Sequence, residues 1–149
     1  MEKIVLDASV IVKWYSEEER SDLARQILLF LKNKKIEIFL PELAKYELGN
    51  ALLKGKKLPF SLARKALESF YLLPLNFLKE TTCLAKESYS LGEKLGITYY
   101  DACYLAVART LKAALVTENP RHQTKRKLGI KIFTLREYLK LYVKILESD

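Results

Sequence analysis

Histidine and cysteine are almost missing from this chain. It has one histidine, His122, and two cysteines, Cys83 and Cys103, set far apart. No Cys/His spacing fits a zinc site, and one histidine cannot build one. A Ser–His–Asp hydrolase is excluded too, because no GxSxG motif accompanies that histidine. The cysteines are expected to fill the core as small apolar groups, since a bridge is disfavoured in a reducing compartment. No apolar run reaches the length of a membrane span. A basic start, a long apolar stretch and a small-residue cleavage site are also lacking at the N-terminus. A cytoplasmic protein with no membrane partner is therefore expected. Repeats, linkers and low-complexity segments are absent from the 149 residues, so one domain over 1–149 is expected. Glutamine (two) and asparagine (four) are scarce beside plentiful lysine and glutamate, a weak thermophilic signature.

What is present is positive charge. Net charge is +8 and the pI is near 9.4. Basic residues gather at Lys32/Lys34/Lys35, Lys54/Lys56/Lys57, Arg64/Lys65 and Arg121/Lys125/Arg126/Lys127. Singly these read as solvated helix ends and loops. Together they favour a polyanionic partner, most simply nucleic acid.

Apolar patterning divides the chain into short strands alternating with helices. Residues 3–7 read as a first strand, with helices over 9–15 and 18–33. The second of these carries Leu23, Ile27, Leu28 and Leu31 at helical spacing. IEIFL, residues 36–40, reads as a second strand stopped by Pro41. Helices follow over 42–55, 61–72, 79–95 and 99–112. AALVT (113–117) and IKIFT (130–134) read as third and fourth strands. Thr134 and Glu137 form a capping box that opens a last helix. Its face is Leu135, Tyr138, Leu139, Tyr142, Val143 and Leu146, which serves either the core or a dimer. Such alternation predicts an α/β fold with a parallel sheet covered on both faces. In such sheets ligands bind at the carboxyl ends of the strands, where strand order reverses.

Acids fall at those ends. In KIVLDASVIVKW the apolar first strand runs into Asp7, which alone reads equally as a helix N-cap. Glu47, in PELAKYELGNAL, shares a helical face with Leu43, Asn50 and Lys54, and alone reads as a solvated acid. Asp101, in GITYYDACYLAVA, stands in capping-box register with Thr98, yet apolar neighbours flank it on both sides. Glu118 and Asn119 follow Thr117 at the end of the third strand, where Asn-Pro also reads as a turn. Taken jointly, these residues offer oxygen ligands from two strand ends and two helices. Crowded carboxylates repel one another unless a cation neutralises them. A hard cation such as Mg²⁺ takes oxygen ligands, keeps several waters and pairs with phosphate. A divalent ion at the sheet mouth beside a basic surface points to phosphodiester hydrolysis in nucleic acid.

DASVIVKW, YELGNAL, YYDACYLAVA and LVTEN, in this order and spacing, resemble the PIN-domain family. The nearest likeness is to its VapC branch, the ribonuclease toxins of toxin–antitoxin pairs, and it covers nearly the whole chain. The resemblance implies a three-layer α/β/α sandwich around a parallel sheet of four to five strands. It also implies a Mg²⁺- or Mn²⁺-dependent endoribonuclease acting on RNA, a VapB-like antitoxin laid across the acidic groove, and a homodimer. The family's acids fall on Asp7, Glu47 and Asp101, as metal ligands and catalytic groups. Asn119 stands where the family usually has a fourth acid; it offers a carbonyl oxygen but no charge. Ser9, Asn50, Thr117 and Glu118 are implied as supporting residues, with Glu118 able to replace the missing acid if the loop turns it inward. Lys13 and Arg121 are candidates to steer or grip the RNA backbone.

Two other readings fail and a third, a DNA or structure-specific nuclease, is less favoured. A haloacid-dehalogenase-type phosphotransferase needs a second Asp where Ser9 stands. A P-loop in GNALLKGKK has five residues between Gly49 and Gly55, with Lys57 in place of Ser/Thr. A structure-specific DNA nuclease lacks an inserted arch or clamp in so short a chain. The serious rival is a non-catalytic PIN module that binds RNA or a protein without cutting, favoured by Asn119.

Overall fold

The first strand ends where the apolar run IVL meets Asp7, and the rest of the architecture grows from it. The computed structural model describes residues 1–56, 58–119 and 128–148. The basic residues Lys57, Arg121, Lys125, Arg126 and Lys127, and also His122, lie outside the described residues, so the role expected of Arg121 is not placed. Chain order is β1 (Glu2–Leu6), α1 (Ala8–Ile11), α2 (Ser21–Lys32), β2 (Ile36–Pro41), α3 (Leu43–Asn50), α4 (Phe60–Leu72), β3 (Asn76–Leu78), α5 (Thr82–Leu95), α6 (Tyr99–Leu111), β4 (Ala114–Val116), β5 (Ile132–Phe133) and α7 (Leu135–Ser148).

The sheet has five strands in the order β3-β2-β1-β4-β5, and every pairing is parallel. Ile4, Val5 and Leu6 are all fully buried, although successive side chains point to opposite faces. Both faces of β1 are therefore covered, the signature of a parallel sheet between helical layers. α6 packs against β1, β2 and β4 with α5 against it, while α2 packs on β2 and against α7. This is the α/β/α sandwich that the sequence led us to expect. The central β1 has β2 on one side and β4 on the other, so strand order reverses beside it. Parallel sheets open a crevice at that point, at the carboxyl ends of β1 and β4.

Several local expectations are adjusted. The expected helix over 9–15 is one α-helical turn, Ala8–Ile11, tightened into a 3₁₀ turn at Val12–Trp14. The helix expected from residue 18 begins at Ser21, because Arg20 takes a left-handed conformation (φ 65°) that no helix interior accepts. The helix expected over 42–55 runs as α3 and then widens into a π turn at Ala51–Gly55. β3 was not anticipated; three residues at a sheet edge are too few for period-two alternation to show. The α7 capping box forms in full: the Glu137 N–H donates to Thr134 Oγ1 at 3.2 Å, and the Thr134 N–H donates to Glu137 Oε1 at 3.1 Å. Leu135, Tyr138 and Tyr142 on α7 are buried, which assigns their face to the core rather than to a dimer. The side chains of Val143 and Leu146 lie outside the described residues. Cys103 is buried as expected, but Cys83 is exposed on the first turn of α5. Among the described residues no helix is long and apolar enough to cross a membrane.

Candidate active site

Asp7 follows β1 directly and is 5% exposed. It occupies the N-cap position of α1 without a side-chain cap bond, so capping does not explain it. Instead its Oδ2 accepts hydrogen bonds from Ser9 Oγ at 2.7 Å and Thr117 Oγ1 at 3.0 Å. Its backbone N–H donates to the Val116 carbonyl at 3.0 Å, which stitches the end of β1 to the end of β4. Ser9 is clamped in turn, for its Oγ accepts the Glu118 N–H at 3.1 Å. Thr117 is fully buried, and its hydroxyl also accepts the Asn119 N–H at 2.9 Å. Two hydroxyls thus hold one carboxylate oxygen in a fixed direction, as supporting residues do around a metal ligand.

Asp101 is 7% exposed in the first turn of α6. Its backbone N–H caps onto Thr98 Oγ1 at 3.0 Å. The Asn119 side-chain amide donates to Asp101 Oδ1 at 3.5 Å, a long contact that brings the loop after β4 to α6. Glu47 projects from α3 and is half-buried. Its Oε1 accepts a 2.6 Å hydrogen bond from the Tyr104 hydroxyl, short enough to be charge-assisted. Tyr104 itself is fully buried one turn beyond Asp101, on the same helix.

Electrostatics tie the acids together. Burial pushes the Glu47 carboxyl above its ordinary value; the Tyr104 bond works against that rise, and the charges of Asp7 and Asp101 add to it. Burial likewise drives the Tyr104 hydroxyl far up, aided by Glu47 and Asp7. The end of β1 and helices α3 and α6 therefore deliver three carboxylates, two of them, Asp7 and Asp101, near enough to act on the third, Glu47. Among the described residues, however, no three acidic, histidine or cysteine side chains are gathered into a ready-made metal cage. The convergence is looser than a closed set of direct ligands. An all-oxygen set of this kind fits an ion that keeps its own waters and uses only one or two carboxylates directly.

A family model of the PIN domain matches residues 4–128. The chain belongs to the PIN domain family. It is 30% identical over 122 residues to Ribonuclease VapC3 of Pyrobaculum aerophilum, covering 77% of this chain and 88% of that one. Among solved structures, PAE2754 from Pyrobaculum aerophilum superposes with a TM-score of 0.68 at 22% identity, over 98% of this chain and 96% of that one. VapBC2 from Rickettsia felis, bound to a DNA fragment from its promoter, gives 0.67 at 20% identity, over 89% of this chain and 98% of that one.

Within this PIN domain, Asp7, Ser9, Thr117, Asn119 and Asp101 lie in one hydrogen-bonded chain, with Glu47 coupled to it by charge. Asn50 is exposed and lines a recess with Glu47. Glu118 does not turn inward. Its Oε2 accepts from Arg20 Nε at 3.0 Å and its Oε1 from the Leu135 N–H at 2.9 Å. Its carboxylate therefore fastens β4 to α2 and α7, and only its backbone N–H supports Ser9. Lys13 also departs from expectation. It is 7% exposed and bonded to Glu18 Oε1 at 3.0 Å and to the Glu19 carbonyl at 2.8 Å, so it is not free to grip RNA. The residue missed from sequence is Tyr104. The available signal was its three-residue spacing from Asp101, which puts both on one helix face.

Proposed function

We propose that the chain is a Mg²⁺- or Mn²⁺-dependent endoribonuclease that hydrolyses RNA phosphodiester bonds, the toxin of a VapBC-type pair. The observation that carries this reading is the placement of Asp7, Asp101 and Glu47 around the carboxyl end of the sheet, with the charges of both aspartates bearing on the half-buried Glu47. Folding tolerates such crowding where a cation or substrate later relieves it.

Asp7 and Asp101 would hold the ion, directly or through water, and Glu47 would complete the set. When bound, the ion lowers the pKa of a water and stabilises charge building on the phosphate. The protein's own part is positioning. Ser9 and Thr117 fix the direction of Asp7. Tyr104 holds one oxygen of Glu47, so that the carboxylate can orient the attacking water. Asn119 offers a side-chain amide at Asp101 and keeps the loop in register. The net charge of +8 draws the polyanion to the mouth.

The name of the Pyrobaculum relative, Ribonuclease VapC3, supports the activity. The VapBC2 complex of Rickettsia felis supports a VapB-like antitoxin as partner. A homodimer acting in the cytoplasm completes the proposal. The test is Mg²⁺-dependent cleavage of single-stranded RNA by wild type, Asp7→Asn and Asp101→Asn. We expect loss in both variants; equal activity in all three discards the scheme.

One observation favours a second reading, a PIN module that binds without cutting. Asn119 places an uncharged amide where a fourth acid would stand. Calorimetric titration with Mg²⁺ separates the two readings. A catalytic site binds the ion and loses it on Asp101→Asn, whereas a binding module gives no heat in either protein.

A further inference from the structure

Single apolar side chains in water are ordinary, but exposed rings that share one recess beside a functional site mark a place where something docks. Several exposed aromatic rings here have partners within the protein. Tyr71, 59% exposed, meets Phe70 edge-on and lies under Lys45. Phe60, 77% exposed, lies under Arg64. Tyr99 donates its hydroxyl to Glu80 at 3.2 Å. Three tyrosines differ. One of them, Tyr89, is 66% exposed on α5 and lines a separate recess. Of the other two, Tyr46 is 76% exposed and Tyr100 is 59% exposed. Among the described residues, none of the three rings stacks on another ring or lies under a cation.

The positions of Tyr46 and Tyr100 are related. Tyr46 immediately precedes Glu47 on α3, and Tyr100 immediately precedes Asp101 on α6. The two rings line one recess of about 460 Å³, together with Leu43, Glu47, Asn50 and Ala51. That size lies within the range of about 300–1,000 Å³ usual for small-ligand pockets. Its chemistry is mixed in a particular way: aromatic and aliphatic surface on the walls, one amide and one carboxylate among them. Flat groups with apolar faces and a polar edge suit such a lining.

We propose that Tyr46 and Tyr100 form a stacking site for one unpaired nucleobase of the RNA, with the Asn50 amide set to hydrogen-bond its edge. The proposal rests on the ribonuclease reading and extends it, because a base seated beside Glu47 brings its own phosphate to the carboxylates. Stacking needs a base that is not paired, so the site selects single-stranded segments, loops or bulges over duplex. A tyrosine stacks on any base, while an amide has both a donor and an acceptor for a base edge. The stacking thus provides grip and the amide provides preference. A protein side chain is the poorer occupant, because an apolar group seated here would strip water from the half-buried Glu47 without replacing its hydrogen bonds.

The experiment uses the full chain in a Ca²⁺ buffer, with fluorescence anisotropy of a short mixed-sequence single-stranded RNA and of the same strand carrying abasic sites. Tyr46→Ala and Tyr100→Ala are each expected to weaken binding of the intact RNA by about 5- to 100-fold, the worth of one stacked base. Tyr46→Phe and Tyr100→Phe are expected to bind like wild type, because the ring remains. On the abasic strand the alanine variants should match wild type. Equal binding of intact RNA by wild type and both alanine variants overturns the proposal. So does an equal weakening on intact and abasic strands, which reports backbone contact or misfolding. Alanine variants that keep RNA binding but no longer bind a co-expressed antitoxin also overturn it, in favour of a protein docking site. The two readings fail separately. Wild type that shows the tyrosine dependence but does not cleave in Mg²⁺ defeats the nuclease reading alone. Wild type that cleaves RNA with no tyrosine dependence defeats the stacking site alone.

Discussion

Replacing Tyr104 with phenylalanine removes one oxygen atom and almost nothing else. The ring is fully buried, and phenylalanine fills the same space, so no cavity term arises. What is lost is the 2.6 Å hydrogen bond to Glu47 Oε1. Bonds to charged groups contribute about 1.5–3 kcal/mol to stability. Glu47 is only half-buried, and water can replace part of the bond, so the low end applies: about 1.5 kcal/mol. In a chain of this size about 1 kcal/mol moves Tm by about 2–4 °C, so Tyr104→Phe should melt about 3–6 °C lower. Cleavage should fall as well, by roughly 10- to 100-fold, since Glu47 loses the group that aims it. Calorimetry of wild type, Tyr104→Phe, Glu47→Ala and the double variant isolates the pair. Glu47→Ala on its own mixes a lost bond with relief from the charges of Asp7 and Asp101, so its sign says little. The coupling between the two changes is the informative quantity. Additivity to within about 0.3–0.5 kcal/mol, or an unchanged Tm in Tyr104→Phe, would refute the link between α3 and α6 through this bond.

Glu18 supplies a pH test: burial alone would raise its carboxyl, but Lys56, Ser16 and Lys13 together bring it down to about 2 from 4.5. A depressed carboxyl contributes fully above its unfolded value, so the gap in Tm between wild type and Glu18→Gln should be open at neutral pH. That gap should close as pH falls from 4.5 through about 2, with a size of about 1 kcal/mol after solvent screening; a gap independent of pH contradicts the assignment. Asn119→Asp puts a carboxylate where an amide now stands 3.5 Å from Asp101 Oδ1. It should melt lower without metal and bind Mg²⁺ on the order of tenfold tighter by calorimetry; unchanged Mg²⁺ affinity would show that position 119 does not face the ion. Glu118→Gln should lose about 1–2 kcal/mol in chemical denaturation, because Arg20 and the α7 N-terminus share its carboxylate. Its rate of RNA cleavage should be preserved; a loss of cleavage at full stability would return Glu118 to the site.

Much was legible from local pattern. The apolar runs at 3–6 and 36–40, the helical spacing of Leu23, Ile27 and Leu31, and the Thr134/Glu137 box depend on neighbours within one or two turns, and all appear in the structure. The acids could be chosen because each sits at an element end or helix face that the same local rules define. What the local rules could not settle was direction. Glu118 and Asn119 are adjacent in sequence, yet the first carboxylate reaches Arg20 and Leu135 while the second side chain reaches Asp101. Lys13 looked like a surface cation and is buried against Glu18 and the Glu19 carbonyl.

By itself, the sequence determined an α/β chain with an excess of positive charge and a set of acids at a strand end and on two helices, because periodicity, capping and charge are properties of residues close in the chain. Only the tertiary structure decided which oxygens meet. Thr117 reaches Asp7 across 110 residues and Tyr104 reaches Glu47 across 57, and those pairings exist because the sheet order sets β1 beside β4 and lays α6 across both. Hydrogen bonds are short-ranged and directional, so nothing in the spacing of two such residues announces their contact until strand order brings them together.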